Sequence, residues 1–254
     1  MPEREIVARL RAAGCVFAEE EARLLVDSAS DEDRLAEMVA ERVRGVPLEH
    51  VVGWAEFCGL RVAVGPGVFV PRHRTELLVR LAAAAVDGGR VLVDLACGSG
   101  AIAAAVADRV PGLAVYAADI EPAAVDVARR NLAPIGGHVY VGDLFGPLPA
   151  TLRGRVDVLV ANVPYVPSGA VGLLPPEARE HEPLRALDGG ADGLDVLRRV
   201  AAGAPGWLRP GGTLLSEIGV DQIDPAKTAL TSAGLAPEVV SDDDLDATVI
   251  IGRR

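Results

Sequence analysis

From residue 90 onward, short apolar runs alternate with amphipathic ones. "RVLVDLA", "LAVYAADI", "HVYVGDL", "VDVLVAN", "TLLSEIG" and "ATVIIGR" have strand length and are built mainly from Val, Leu, Ile and Ala. The intervening segments carry helical spacing: "GAIAAAVADRV", "EPAAVDVARRNLA" with Pro122 in its first turn, "GLDVLRRVAAGAPGWL" closed by a turn at "RPGG", and "DPAKTALTSAGL". A strand that is apolar on both faces must be covered on both. The alternation therefore predicts an α/β fold, a mainly parallel sheet with helices on either side.

The first third reads differently. Residues 2 to about 45 have helical periodicity, with stops at Gly14 and Gly45 and Asp31 as an N-cap, which gives two or three helices. "VVGWAEFCGLRVAVGPGVFV" is rich in Val, Gly and aromatics and predicts a hairpin followed by a turn. A helix is expected from Pro71, with Thr75 and Glu76 in its first turn. The expected parts are thus a helical module over 1–50, a hairpin linker over 51–70 and the α/β domain over 71–254.

Composition narrows the function classes. The 254 residues are half apolar, enough for one large domain with a small one attached. No apolar run approaches the roughly 20 residues that span a bilayer, and the charged amphipathic N-terminus has no signal-peptide core. Cys15, Cys58 and Cys97 form no pairable pattern, as expected of a cytoplasmic protein. His50, His73, His138 and His181 show no metal-ligand spacing, so no metal is expected. A net charge of −11 disfavours nucleic acid as the direct substrate.

In such a sheet, ligands bind beyond the carboxyl ends of the strands. The first strand of the α/β region ends "DLACGSGA", where Gly98 and Gly100 permit a sharp turn and close approach of backbone to ligand. "GSGAIA" also satisfies the loose dinucleotide pattern. However, Asp94 sits four residues before Gly98, where a carboxylate repels pyrophosphate and attracts a cation, and the loop has no Lys or Arg. S-adenosylmethionine, with an ammonium, a sulfonium and no phosphate, suits it better. Asp119 follows the glycines by about 20 residues, the position from which an acidic side chain binds ribose hydroxyls. Asp143, ending the next strand, can accept from an adenine amino group, with Leu144 or Phe145 against the ring. Any one of these aspartates alone reads equally well as a capping or turn residue; three at successive strand ends do not. Cys97 reads as a small loop-filling residue.

The fourth strand runs into Asn162-Val163-Pro164-Tyr165. A plain strand-ending turn accounts for Asn and Pro alone. The neighbouring cofactor edge supports more. The Asn162 oxygen and the Val163 carbonyl are two acceptors able to converge on one NH2 group. Pro164 restricts Val163 to extended conformations, which presets that carbonyl, and Tyr165 offers a flat face. These groups suit methylation of an amide or amino nitrogen through positioning and preorganised electrostatics.

"DLACGSG", "ADIEPAAVDVARRNL", "GDLF" and "NVPY" resemble the motifs of S-adenosylmethionine-dependent methyltransferases. With "PLEHVVGWAEFCGLRVAVGPGVFVPRHRTELLV" (47–79) and "EPLRALDGGADGLDVLRRV" (182–200), nearly the whole chain is similar to the HemK-type protein-(glutamine-N5) methyltransferases that modify peptide chain release factors. The resemblance implies a Rossmann-like seven-stranded sheet, S-adenosylmethionine as methyl donor, S-adenosylhomocysteine as product and a release factor as protein partner. It implies cofactor contacts from Asp94, Ala96, Cys97, Gly98, Gly100, Asp119, Ile120, Asp143, Leu144 and Asn162. It also implies catalytic and target-amide contacts from Asn162, Val163, Pro164 and Tyr165, with Arg72 and Thr75 close by. Two departures stand out: Val163 replaces the family's usual proline, and "RHRTE" replaces an Arg-Pro-led segment. The alternatives are a paralogue acting on another protein such as a ribosomal protein, adenine-N6-type methylation of nucleic acid, and a non-catalytic module that keeps the cofactor pocket.

Overall fold

A computed structural model describes residues 1–86 and 90–254; none of the site residues named above falls at 87–89. The N-terminal module consists of α1 (Glu3–Ala12), α2 (Ala18–Ser28), α3 (Glu32–Val43) and a short α4 (Leu48–Val52). Asp31 caps α3 as expected, accepting from the Arg34 N–H at 2.8 Å. The helices enclose their own core of Ile6, Leu10, Leu25, Met38 and Val39. The expected hairpin forms from β1 (Trp54–Phe57) and β2 (Leu60–Ala63). It closes on Cys58 and Gly59, both at positive φ, the geometry of a two-residue hairpin turn.

The helix expected from Pro71 starts later. Arg72 is extended, His73–Thr75 form one 3-10 turn, and α5 runs Glu76–Ala85. Arg72 is held straight by Glu182, whose carboxylate oxygens lie 2.7 and 2.6 Å from its Nη2. The delay leaves Arg72 on extended chain and Arg74 and Thr75 in the 3-10 turn ahead of α5.

The α/β part contains β3 (Val91–Leu95), α6 (Ala101–Arg109), β4 (Ala114–Asp119), α7 (Pro122–Leu132), β5 (His138–Val141), β6 (Val156–Ala161), α8 (Pro176–His181), α9 (Asp195–Gly203), β7 (Leu208–Glu217), α10 (Ile223–Ser232), β8 (Ala236–Asp242) and β9 (Ala247–Arg253). The sheet order is β5-β4-β3-β6-β7-β9-β8. Only β9 runs antiparallel to its neighbours. The helix expected over "GLDVLRRVAAGAPGWL" stops at Gly203, where a 3-10 turn containing Pro205 takes over. "RPGG" is no separate turn but the irregular start of β7, where the register against β6 shifts between Val156 and Val158. Helices cover both faces, α5 and α6 over one core and α9 and α10 over the other. Among the described residues no helix is long and apolar enough to cross a membrane.

Strand order reverses between β3 and β6. At that reversal the loops after neighbouring strands diverge to opposite sides, which opens a crevice at their carboxyl ends. A cavity of about 500 Å³ lies there.

Candidate active site

The loop after β3 forms one wall. Ala96, Gly98 and Gly100 all have positive φ, which folds the chain tightly before α6. A Cβ on Gly98 would meet nothing within 4 Å, so this glycine leaves backbone open to the cavity. On Gly100 a Cβ would approach Ala128 and Leu132 at 3.2 Å. Gly100 thus serves the packing of the loop on α7 and does not line the cavity. Asn131 of α7 ties the loop down. Its Nδ2 donates to the Ser99 carbonyl at 2.8 Å, and its amide pairs with the Ala63 backbone.

Asp119 ends β4 beside this loop. Its carboxylate accepts from Gly98 N–H at 2.8 Å and Glu121 N–H at 2.9 Å, and burial raises its pKa. Asp119, Ile120, Ala96, Cys97 and Gly98 all line the cavity. Asp94, expected to contact the cofactor, lies beneath the loop, fully buried and off the cavity lining. Its Oδ2 accepts from Ala103 N–H at 3.2 Å, and its Oδ1 has no partner among the described residues. Burial pushes its carboxyl up to about 8. Asp143 and Leu144 are not brought to the cavity: Asp143 is exposed and paired with Arg199 of α9. Phe145, expected against a ligand ring, stacks on Trp207 with centroids 5.6 Å apart.

Next to it lies Asn162–Tyr165, delivered by β6, the neighbour of β3 and a strand in which all six residues are buried. The Asn162 Nδ2 donates to Thr75 Oγ1 at 3.4 Å, and its Oδ1 has no hydrogen-bond partner among the described residues. Val163 is buried among the residues under α9. The Tyr165 hydroxyl donates to Glu217 Oε1 at 2.7 Å; burial, and then that carboxylate, raise the phenol well above its ordinary pKa. Gln222, after β7, fixes the following backbone by donating to the carbonyls of Tyr165 at 2.8 Å and Asp192 at 2.9 Å. A Cβ on Gly189 would come within 2.5 Å of the Pro164 oxygen, and one on Gly193 within 2.1 Å of the Tyr165 oxygen. Two of the three glycines of "DGGADG", Gly189 and Gly193, are thus required by close packing on the Pro164–Tyr165 backbone, and the third, Gly190, by Asp195.

Arg72, Arg74 and Thr75 reach the cavity from the loop before α5, and the segment from Leu174 to Leu187 roofs it. Glu217, Gln222, Asn131, Gly189 and Gly193 carried no role in the sequence reading. The glycines could have been found, because three glycines in six residues announce a close approach. Glu217 sat in a correctly read strand, and only tertiary structure supplies its partners.

Comparison with known proteins agrees with this architecture. Residues 59–173 match the family model described as "Methyltransferase small domain". The release factor glutamine methyltransferase of Mycolicibacterium smegmatis is 40% identical over 246 residues, covering 94% of this chain and 86% of that one. That of Geobacter sulfurreducens is 37% identical over 219 residues, 85% and 76% of the two chains. The chain belongs to the release factor glutamine methyltransferase family. Its fold recurs in a methyltransferase from Pyrococcus furiosus (TM-score 0.57, 18% identity, 77% of this chain and 89% of that one). It recurs again in a ribosomal protein L11 methylase from Lactobacillus delbrueckii (TM-score 0.53, 18% identity, 75% and 83%). As a family member the chain is an enzyme, and the valine at position 163 alters its side chain while keeping the backbone carbonyl.

Proposed function

We propose that this chain methylates the side-chain N5 of a glutamine in a peptide chain release factor, with S-adenosylmethionine as donor. A translation factor as substrate would place the reaction in the cytoplasm. The observation that carries the reading is the Asn162 oxygen, which lines the cavity beside the glycine loop and has no partner among the described residues.

The residues present fit the donor. The Asp94 oxygen without a partner among the described residues, just beneath the loop, and the paired backbone contacts of Asp119 on the lining give an acidic, phosphate-free cradle. Gly98 leaves room for close approach. Ala96, Gly98, Asp119 and Ile120 would hold the nucleoside, and Asp94, beneath the loop and off the cavity lining, would back the ammonium only by giving up its proton when the cation binds. When bound, S-adenosylmethionine would supply an electrophilic methyl carbon to the amide nitrogen, the S–C electron pair remaining on sulfur and one N–H proton passing to solvent.

The chain's own contribution is positional. A glutamine amide nitrogen is a poor nucleophile because its lone pair is delocalised into the carbonyl. Asn162 Oδ1 and the Val163 carbonyl accept its two hydrogens, and the Tyr165 ring limits how the planar amide can lie. Fixing both hydrogens aims the lone pair and favours pyramidal nitrogen.

The test is incubation with methyl-labelled donor and release factor, read by mass spectrometry. A methyl mass added at a glutamine is expected, and label that never reaches glutamine removes the reading. Asn162→Ala should lower turnover by about a hundredfold or more, as for loss of a preorganised hydrogen-bond partner.

A further inference from the structure

We infer that Glu217 and Thr75 form a one-way hydrogen-bond relay that sets which end of the Asn162 carboxamide faces the target nitrogen. The consequence for turnover rests on the methyl-transfer reading above; the relay itself does not.

An Asn side chain can be turned over with little change of shape, exchanging an acceptor for a donor. Here the turned-over state would be ruinous, since it would point an NH2 at the NH2 it must hold. Something has to forbid it, and the strand that bears Asn162 does not.

The restriction comes from β7. Glu217 is 3% exposed and ends that strand beside the Asn162 loop. Its Oε1 accepts from the Tyr165 hydroxyl at 2.7 Å and faces Arg74 Nε at 3.1 Å. Its Oε2 lies 2.7 Å from Thr75 Oγ1. A carboxylate only accepts, so Thr75 must donate its single proton to it. Thr75, itself 2% exposed, then offers Asn162 lone pairs alone. The neighbour at 3.4 Å must be the Asn162 NH2, which leaves Oδ1 for the cavity. The bond at that length is weak. Selection comes mostly from the alternative, in which two oxygens with no proton between them would face each other in a buried site.

Glu217 and Thr75 are thus positioning residues. They touch no reacting atom and act through Asn162. Arg74 and Tyr165, bound to the other oxygen, keep the carboxylate turned so that Oε2 stays on Thr75.

Three variants test the relay. Thr75→Val removes the lone pairs while keeping the shape. Turnover should fall by about ten- to a hundredfold, with donor affinity by calorimetry unchanged. Thr75→Ser keeps the hydroxyl and should recover most of that loss. In Glu217→Gln the new amide can donate to Thr75, turning its proton toward Asn162 and reversing the carboxamide; the loss should be at least that of Thr75→Val. A second readout needs no protein substrate. With 15N-labelled asparagine, and the Asn162 side-chain signal assigned by its disappearance in Asn162→Ala, the two amide protons should be distinct and slow to exchange in the wild type. They should exchange faster in Thr75→Val. An Asn162 signal that is the same in both proteins overturns the inference whether or not release factor is methylated. Absence of glutamine methylation by the wild type overturns only the functional reading. If Thr75→Val does not fold, the same comparison is made with Glu217→Gln.

Discussion

Asp94 is a carboxylate placed where water cannot reach it, with one oxygen unpartnered. Burial first, and the Ala103 N–H only in partial compensation, bring its pKa from 3.8 to about 8. The folded chain therefore keeps a proton that the unfolded chain releases above pH 3.8. Stability of the ligand-free protein should be greatest below that pH window and decline as pH rises through it toward about 8, by an amount on the order of a few kcal/mol. Asp119 is raised in the same direction and adds to the slope. Asp94→Asn removes the titrating group and keeps an acceptor for Ala103. Its melting temperature should exceed that of the wild type at pH 9 and approach it at acidic pH, approximately as the linkage dictates. Above about pH 8, where Asp94 is ionised, the same variant should bind S-adenosylmethionine more weakly, since a cation would lose its carboxylate. Melts that shift equally at both pH values, or an unchanged calorimetric affinity, would contradict this account of Asp94.

At the scale of elements, the site depends on how closely the 189–195 loop lies against the strand-end turn at 162–165. Gly193 has φ +79°, and a Cβ there would stand 2.1 Å from the Tyr165 oxygen and 2.3 Å from Gln222 Nε2. Gly112 also has positive φ (+85°) but nothing within 4 Å. Gly112→Ala should therefore cost only the left-handed backbone penalty, roughly 1–2 kcal/mol. Gly193→Ala should cost more than Gly112→Ala and should also depress methyl transfer, because Tyr165 and Gln222 must separate. Thermal melts and turnover of the two variants, side by side, check this; equal activity in both would mean that the close packing does not serve the site. The same scale shows what the sequence could disclose. The interior strands were legible because they are apolar on both faces, and their loops were legible because glycines and acids gather at strand ends. β8 was not read from its residues. It pairs only with β9, and "APEVVSD" carries Pro237, Glu238 and Asp242 on a half-exposed edge. The resemblance, not the pattern, supplied the seventh strand. Glu217 escaped for another reason. Its partners Thr75 and Tyr165 are 142 and 52 residues distant, and a carboxylate closing a strand has no local signature of that role.

Across the whole molecule, the proposed divisions at residues 50 and 70 are bridged at the roof of the cavity. Glu182 accepts from Val70 N–H at 3.1 Å and pairs with Arg72, so the hairpin linker grips one end of the roof. Glu177, on α8 and on the cavity lining, pairs with Arg42 of α3 at 2.5 Å. Arg42 is itself buried and anchored to Glu21 of α2 at 2.6 Å. The helical module is thereby joined to the lining of the cavity, on the side proposed to receive a protein segment. The two carboxylates on Arg42 are not equivalent. Glu21 is enclosed with Arg42, whereas the Glu177 side chain is 47% exposed. Arg42→Ala would strand Glu21 without its cation and should cost about 3–5 kcal/mol, seen as a lower melting temperature. Glu177→Ala leaves the Arg42–Glu21 pair intact and should cost no more than about 1 kcal/mol, as for a solvent-screened pair. Its effect should fall on the protein substrate, raising KM for release factor while calorimetric affinity for S-adenosylmethionine holds, because the residues proposed to hold the donor follow β3 and β4, away from Glu177. A melting-temperature loss in Glu177→Ala equal to that of Arg42→Ala would make the contact a stability element alone. An unmoved KM would mean that the roof keeps its place without the helical module, leaving that module to act elsewhere on the substrate.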